Sequence, residues 1–236
     1  MALPETKTGP LIAPAVPNLP LAPEQYDRKF QDEFENILRL YFNRLNNFNQ
    51  LITTSTGGAL LQFPFIAASD GAIQYATAAD TPTIIQWNTL DEGNGFTLNV
   101  DNTATAQVSG IYKITYSLQF ANNDNVAHDA IVWLRVNGST SAADIANSST
   151  VFTIAARKSA GVPTFICGYS EVTFELNAGD SVGLWWGTNQ AATSGGATGI
   201  YIDYRAAQTT PMPYPAVPSA IGSITFVSAL PPTVFP

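Results

Sequence analysis

The run Gly110-Ile111-Tyr112-Lys113-Ile114-Thr115-Tyr116-Ser117-Leu118-Gln119-Phe120 alternates without a break. Tyr112, Ile114, Tyr116, Leu118 and Phe120 fall on one side, and Lys113, Thr115, Ser117 and Gln119 on the other. Successive side chains of a strand point to opposite faces, so this run predicts a strand with one apolar face on a core. A helix would repeat its apolar positions every three or four residues instead. The same signature recurs on both sides of the run. Phe96, Leu98 and Val100 alternate with Thr97 and Asn99, and Val172, Phe174 and Leu176 alternate with Thr173 and Glu175. Residues 130–136 are largely apolar on both faces and end in Asn137-Gly138, a strong tight-turn dipeptide. Residues 182–186 follow the turn Asn177-Ala178-Gly179-Asp180, and 73–75, 84–87, 151–155 and 200–204 complete the series. About eight to ten short strands with no helix between them predict a β-sandwich or jelly roll and exclude a βαβ fold.

Upstream, the period changes. Phe34, Leu38, Tyr41, Leu45, Phe48 and Ile52 are separated by steps of four and three, which is a heptad repeat. Pro23, Glu24 and Asp27 place proline and acids where a helix start favours them, and Gly57-Gly58 supplies a stop. Phe30, Ile37 and Phe42 broaden the stripe beyond a two-stranded seam, so a bundle of three or more helices is predicted, with Asn43, Asn46, Asn47 and Asn49 facing away. A helix of about four heptads is marginal alone, so the neighbouring domain must help hold the chains together.

The 236 residues are 45% hydrophobic and only 12% charged, half the usual charged fraction of about 25%. Of the sixteen prolines, six lie at or before Pro23, seven at or after Pro211, and three between, so the middle is the folded body. Pro14, Pro17, Pro20 and Pro23 recur every third residue, the turn length of polyproline II, and predict a stiff arm over 1–23 that docks to other protein. After Arg205 the chain carries no charge, and the apolar strand candidate 221–227 within the Pro-rich tail 207–236 predicts an interface covered by a neighbouring subunit or by a larger assembly. The expected organisation is therefore arm 1–23, helical oligomerisation stalk 24–56, β knob 57–206 and apolar tail 207–236.

Net charge −8 with ten basic residues excludes a phosphate-tracking surface, so nucleic acid is not an expected partner. No apolar run is long enough to span a membrane, and the first residues lack the basic-then-apolar pattern of an export signal. Cys167, the one cysteine, lies in an apolar run and reads as a small buried hydrophobe.

Catalytic chemistry finds little to work with. His128 is the one histidine, and Asp129 beside it in sequence does not make an orienting partner. Asp91-Glu92, Glu171 with Glu175, and Asp180 are the carboxylates a glycosidase would draw on, but Glu171 and Glu175 alternate onto the solvated side of a strand. The loop Asp91-Glu92-Gly93-Asn94-Gly95 lacks the spaced ligands of a calcium loop, and there is no Walker or dinucleotide motif and no histidine cluster. No cofactor, metal or enzymatic activity is expected. Trp185 and Trp186 near Thr188-Asn189-Gln190, or the turn 194–198, are candidate contacts for a glycan, with at least one of the two indoles expected in the core.

Gly110-Ile-Tyr-Lys-Ile-Thr-Tyr116, Trp133-Leu-Arg-Val-Asn-Gly138 and Leu176-Asn-Ala-Gly-Asp-Ser-Val-Gly-Leu184 resemble, in order and spacing over about residues 60–205, the C1q and tumour-necrosis-factor jelly roll. The resemblance implies a compact homotrimer with a trimeric stalk on its N-terminal side, where the heptads lie, and places Tyr112 and Tyr116 among the oligomerisation residues. Residues 23–30, 38–45 and 215–228 are similar to segments recurrent in tailed-bacteriophage fibre and head-decoration proteins. That similarity implies a virion-surface structural protein assembled in the host cytoplasm. In one form it is a short tail fibre or spike that docks through its arm, alone or together with the tail 207–236, to other virion proteins and presents the knob to a host surface glycan or protein. The alternatives are a capsid head-decoration or cement protein, a secreted C1q-like glycan-binding lectin, and a polysaccharide depolymerase.

Overall fold

The computed structural model describes residues 14–21, 24–53, 63–193 and 198–230. Pro23, Gly57-Gly58, most of the 194–198 turn and the last prolines lie outside them. The chain divides into two compact units, Met1–Gln62 and Phe63–Pro236.

Among the described residues the first unit holds one helix, α1 (Arg28–Thr53), 26 residues long. It starts later than proline and acid placement predicts. Asp27 is its N-cap: the carboxylate accepts the Lys29 N–H at 2.9 Å, and the Asp27 carbonyl accepts the Gln31 N–H at 3.1 Å. Residues 14–21 have no regular hydrogen-bonded structure, and their exposure follows the three-residue period. Pro14, Pro17 and Pro20 are half-buried, whereas Ala15, Val16, Asn18 and Leu19 are exposed.

The second unit is a mainly β sandwich of two antiparallel sheets, with thirteen strands among the described residues. In the first sheet β7 (Gly110–Asn122) is the central strand. Along one edge it pairs over its whole length with β10 (Thr164–Leu176). Along the other it pairs with β12 (Ile200–Ile202) and β13 (Ala220–Ser228). Beyond β13 come β1 (Phe65–Asp70) and then β4 (Thr89–Asn94), and β2 (Gln74–Tyr75) pairs with β12. The second sheet runs β5 (Phe96–Leu98), β6 (Ala104–Ala106), β11 (Ser181–Thr188), β8 (His128–Val136), β9 (Thr150–Ile154), with β3 (Thr83–Ile84) on β11.

The alternating residues of β7 do what their spacing predicts. Tyr112, Ile114, Tyr116, Leu118 and Phe120 are all buried, as are Val132, Leu134, Leu184 and Trp186 from the facing sheet. Aromatic rings join the two layers: Phe120 lies 5.9 Å from Trp186, and Phe96 meets Tyr112 edge-on at 5.1 Å. Residues without a side chain make room for these rings. A Cβ on Gly168 would stand 2.7 Å from the Phe120 ring, and one on Gly222 would stand 2.7 Å from Trp87. Between the layers remains a small apolar gap of about 30 Å³, lined by Ile66, Trp87, Leu98, Val182 and Leu184 among others.

Several expectations are corrected here. Tyr112 and Tyr116 are 0% and 1% exposed within a single chain, so they are core residues and cannot meet a neighbouring subunit. The body does not end at 206. Residues 203–219 return as an irregular hairpin, bridged at Arg205 with Val217 and at Gln208 with Tyr214, and deliver β13 between β7 and β1. The uncharged segment 221–227 is thus covered along both edges by its own sheet rather than forming a separate interface tail. The segment 91–95 is not a free loop; most of it is strand β4, paired with β1 and bulged opposite Ala67 and Ala68. Val100 lies past the end of β5 in the 99–103 turn and is fully exposed.

Candidate functional site

On α1, Phe34, Leu38, Tyr41, Leu45, Phe48 and Ile52 are all half-buried, and none is fully enclosed. Asn43, Asn46, Asn47 and Asn49 are exposed, which is the two-sided division that the heptads predict. Phe30 stacks on Phe34 with centroids 6.1 Å apart, one turn along the stripe. Phe42, on the flank, is 58% exposed. The helix therefore presents a continuous aromatic and aliphatic strip. No helix among the described residues is long and apolar enough to cross a membrane.

The outer face of the second sheet is the other concentration of chemistry. On β8, Ile131, Trp133 and Arg135 point away from the core, because Ala130, Val132 and Leu134 point into it. Their cross-strand partners on β11 are Gly187, Trp185 and Gly183. Each outward residue beside the central Trp133–Trp185 pair thus faces a glycine. Arg135 is drawn down into this face and is 4% exposed. Its Nε donates to Asp144 Oδ1 at 2.6 Å and its Nη1 to the Ser139 carbonyl at 2.5 Å. The guanidinium carbon lies 4.4 Å from the Trp185 ring centre and 5.4 Å from that of Trp133. Trp133 Nε1 donates to the same Asp144 oxygen at 2.8 Å.

Two hollows flank the pair. One of about 580 Å³ is bordered by Trp185, Arg135, Asp101 and Asn137. The other, about 310 Å³, is bordered by Trp133, Ile131, Gly187, Asp80, Asp129 and Asn189. In the second, Thr153 donates to Asp129 Oδ1 at 2.6 Å, and Asn189 Oδ1 accepts the Asp129 N–H at 3.2 Å. Of the tryptophans singled out in sequence, Trp186 is fully buried and Trp185 stands on the outer face. Trp133 and Arg135 were hidden within a run that reads as core, and their outward parity shows only in the strand register.

The remaining candidates stay dispersed. His128 Nε2 lies 2.9 Å from Asp124 Oδ2, and this hydrogen bond lowers the Asp124 carboxyl below its usual value. The partner is thus Asp124, not the adjacent Asp129. Glu171 and Glu175 are exposed, with Glu171 Oε2 3.5 Å from Lys113 Nζ. Asp180 accepts from Asn137 Nδ2 and from the Asn177 N–H, each at 2.7 Å, which fixes a turn and holds its carboxyl below the usual range. Asp91 accepts from Ser69 at 3.1 Å. No cluster of three metal-ligating side chains occurs among the described residues. Cys167 is exposed on β10 and not buried: Ile166 and Gly168 take the inward positions, and its sulfur lies 3.2 Å from the Ser117 hydroxyl.

The helix and the two-sheet body define a mainly β sandwich protein with an N-terminal helical segment. No family model and no curated protein matches the chain. Among solved structures it is similar to "Structure of Eiger TNF from S. frugiperda", at 14% identity and a TM-score of 0.41, over 73% of this chain and 99% of that chain.

Proposed function

We propose that this chain is a non-enzymatic, homotrimeric structural protein of a tailed-bacteriophage virion, a short tail fibre or spike. Its arm docks on other virion proteins and its β knob is presented for host attachment. The supporting observation is the half-buried heptad strip Phe34, Leu38, Tyr41, Leu45, Phe48 and Ile52 on a helix that precedes a β body built independently of it. Such a strip is stabilised by matching strips from other copies. Three copies of a knob on one particle convert a weak contact into tight attachment by multivalency. The half-buried Pro14, Pro17 and Pro20 edge suits docking of the arm. A decoration role draws on two adhesive termini; among the described residues, 220–228 of the C-terminal part lie within the body as β13, and the arm remains for that purpose.

The test is sedimentation of the purified full chain together with binding to host cells. A species of three chain masses that binds the host is expected. A stable monomer overturns the trimer, and a trimer that coats and stabilises capsids without binding cells makes it a decoration protein.

A further inference from the structure

The geometry points to a binding site for a neutral sugar on the outer face of the second sheet, in the hollow of about 310 Å³ between Trp133 and the rim formed by Asp80, Asp129 and Asn189. This deepens the attachment role proposed above and rests on it for the source of the sugar. The site has the composition of a ligand pocket, an apolar wall with a few convergent polar groups, and a volume near the lower end of the usual range, about 300–1,000 Å³.

The wall comes from Trp133. Arg135 occupies one side of this indole, two residues along the strand, so the side toward Ile131 is left to the hollow. The floor is Gly187. A Cβ placed there would meet Trp133 Cη2 at 3.6 Å and the Thr81 carbonyl at 3.8 Å, so the missing side chain leaves an opening between ring and loop. The part of the indole that borders such an opening offers a C–H-bearing ring an apolar surface for dispersion contact.

The rim selects the chemistry. Asp80 is exposed, and Asp129 spends one carboxylate oxygen on Thr153. Asn189 spends its oxygen on the Asp129 N–H, which leaves its NH₂ unpaired among the described residues. The rim therefore offers carboxylate acceptors together with an amide donor. Hydroxyl groups both donate and accept, and match that mixture. No Lys or Arg borders this hollow, and the chain carries net charge −8, so an anionic ligand is repelled. An ammonium ligand would satisfy the carboxylates but would face the Asn189 donor unpaired. A pyranose supplies the C–H face, the hydroxyls and the neutrality at once.

The experiment titrates the full-length protein with glucose, galactose, mannose and N-acetylglucosamine at millimolar concentration and follows the Trp133 indole N–H resonance. Sialic acid and tetramethylammonium serve as charged controls. At least one neutral sugar is expected to shift Trp133. Read instead at the Asn189 side-chain amide resonance, which borders the same hollow, Trp133→Ala is expected to weaken binding about three- to tenfold, the worth of one aromatic contact, while Trp133→Phe keeps most of it. Gly187→Val is expected to abolish binding without unfolding, since its first added carbon meets only ordinary contacts. The site is overturned if no neutral sugar shifts Trp133, if tetramethylammonium or sialic acid binds in preference, or if Gly187→Val binds as wild type does. Host-cell binding separates this from the attachment role. Cells that capture wild type and Gly187→Val equally reject the site and keep the attachment, whereas sugar binding without cell binding does the reverse.

Discussion

Ser219 and Asp70, 149 positions apart, are hydrogen-bonded in the interior: the Ser219 hydroxyl lies 3.3 Å from Asp70 Oδ2, and the Ser219 N–H donates to the Asp70 carbonyl at 2.9 Å. Gln74 completes the cluster, donating to Asp70 Oδ2 at 2.8 Å and to the Gln86 carbonyl at 3.1 Å. All three polar residues are buried. They stand where β1 ends and β13 begins, next to the register pair Asp70–Ala220, so the cluster fixes how the last strand enters the sheet.

A pH dependence follows from this cluster. Burial pushes the Asp70 carboxyl above its ordinary value of 3.8, and hydrogen bonds from Ser219 and Gln74 offset this in part. The folded state therefore holds the Asp70 proton more tightly than the unfolded chain. Stability from this group is greatest below pH 3.8 and falls as pH rises through the folded value. Asp70→Asn removes the charge and keeps an acceptor. Its stability relative to wild type is expected to be higher at pH 7 than at pH 3, read as the difference in urea midpoint at each pH. Asp70→Ala removes the carboxylate that accepts from Gln74 Nε2 at 2.8 Å, leaving the Ser219 hydroxyl its longer contacts with the Asp70 carbonyl at 3.2 Å and with Gln74 Nε2 at 3.3 Å, and should cost about 1–3 kcal/mol at either pH.

Deletion of everything after Ser219 is expected to unfold the body rather than release a tail. β13 separates β7 from β1, and its Ala220 and Ile224 are 0% and 5% exposed. Its loss opens two long strand edges and uncovers Tyr112, which Phe226 contacts edge-on at 5.6 Å. The truncated chain should be insoluble, or should lose its β circular dichroism signal and its resistance to protease. A folded, soluble product would show that β13 is dispensable.

Period was readable in sequence, and spatial partnership was not. The alternation around Tyr112 and the heptads from Phe34 report local geometry, so β7 and α1 emerge from residue order alone. β13 emerges only in part: 221–227 reads as an apolar strand candidate, but its place in the sheet does not show, because its partners lie more than 100 residues away and its flanking prolines imitate a free tail. Cys167 failed by parity, since a mostly apolar run does not say which residues face inward. The same ambiguity hid Trp133 and Arg135. An arginine becomes compatible with burial only once Trp185 and Asp144 are known to lie beside it.

Parity also separates two adjacent tryptophans. Trp186 is 0% exposed and contacts Phe120, so Trp186→Ala should cost about 3–5 kcal/mol through the cavity it leaves. Trp185 lies on the outer face over Arg135, and Trp185→Ala removes chiefly that cation–π contact, worth about 2 kcal/mol or less. Denaturant unfolding of the two variants should differ accordingly. Equal losses would mean that the outer face is packed as tightly as the core.

The proposed trimer depends on the α1 strip, and a single charge placed there tests it. Leu45 is half-buried at the centre of the strip, whereas Asn46 beside it is exposed. In a three-helix bundle Leu45→Asp brings three carboxylates into one apolar layer, each unfavourable by several kcal/mol unless protonated. The variant should sediment as monomer at neutral pH and recover part of its assembly near pH 4, where the carboxyls take up protons. Asn46→Asp adds the same charge on the solvated side and should leave sedimentation unchanged. Because the β body has its own core, Leu45→Asp should keep the β circular dichroism signal even as monomer. An unaltered trimer in Leu45→Asp would place the contacts between chains elsewhere than on this helix.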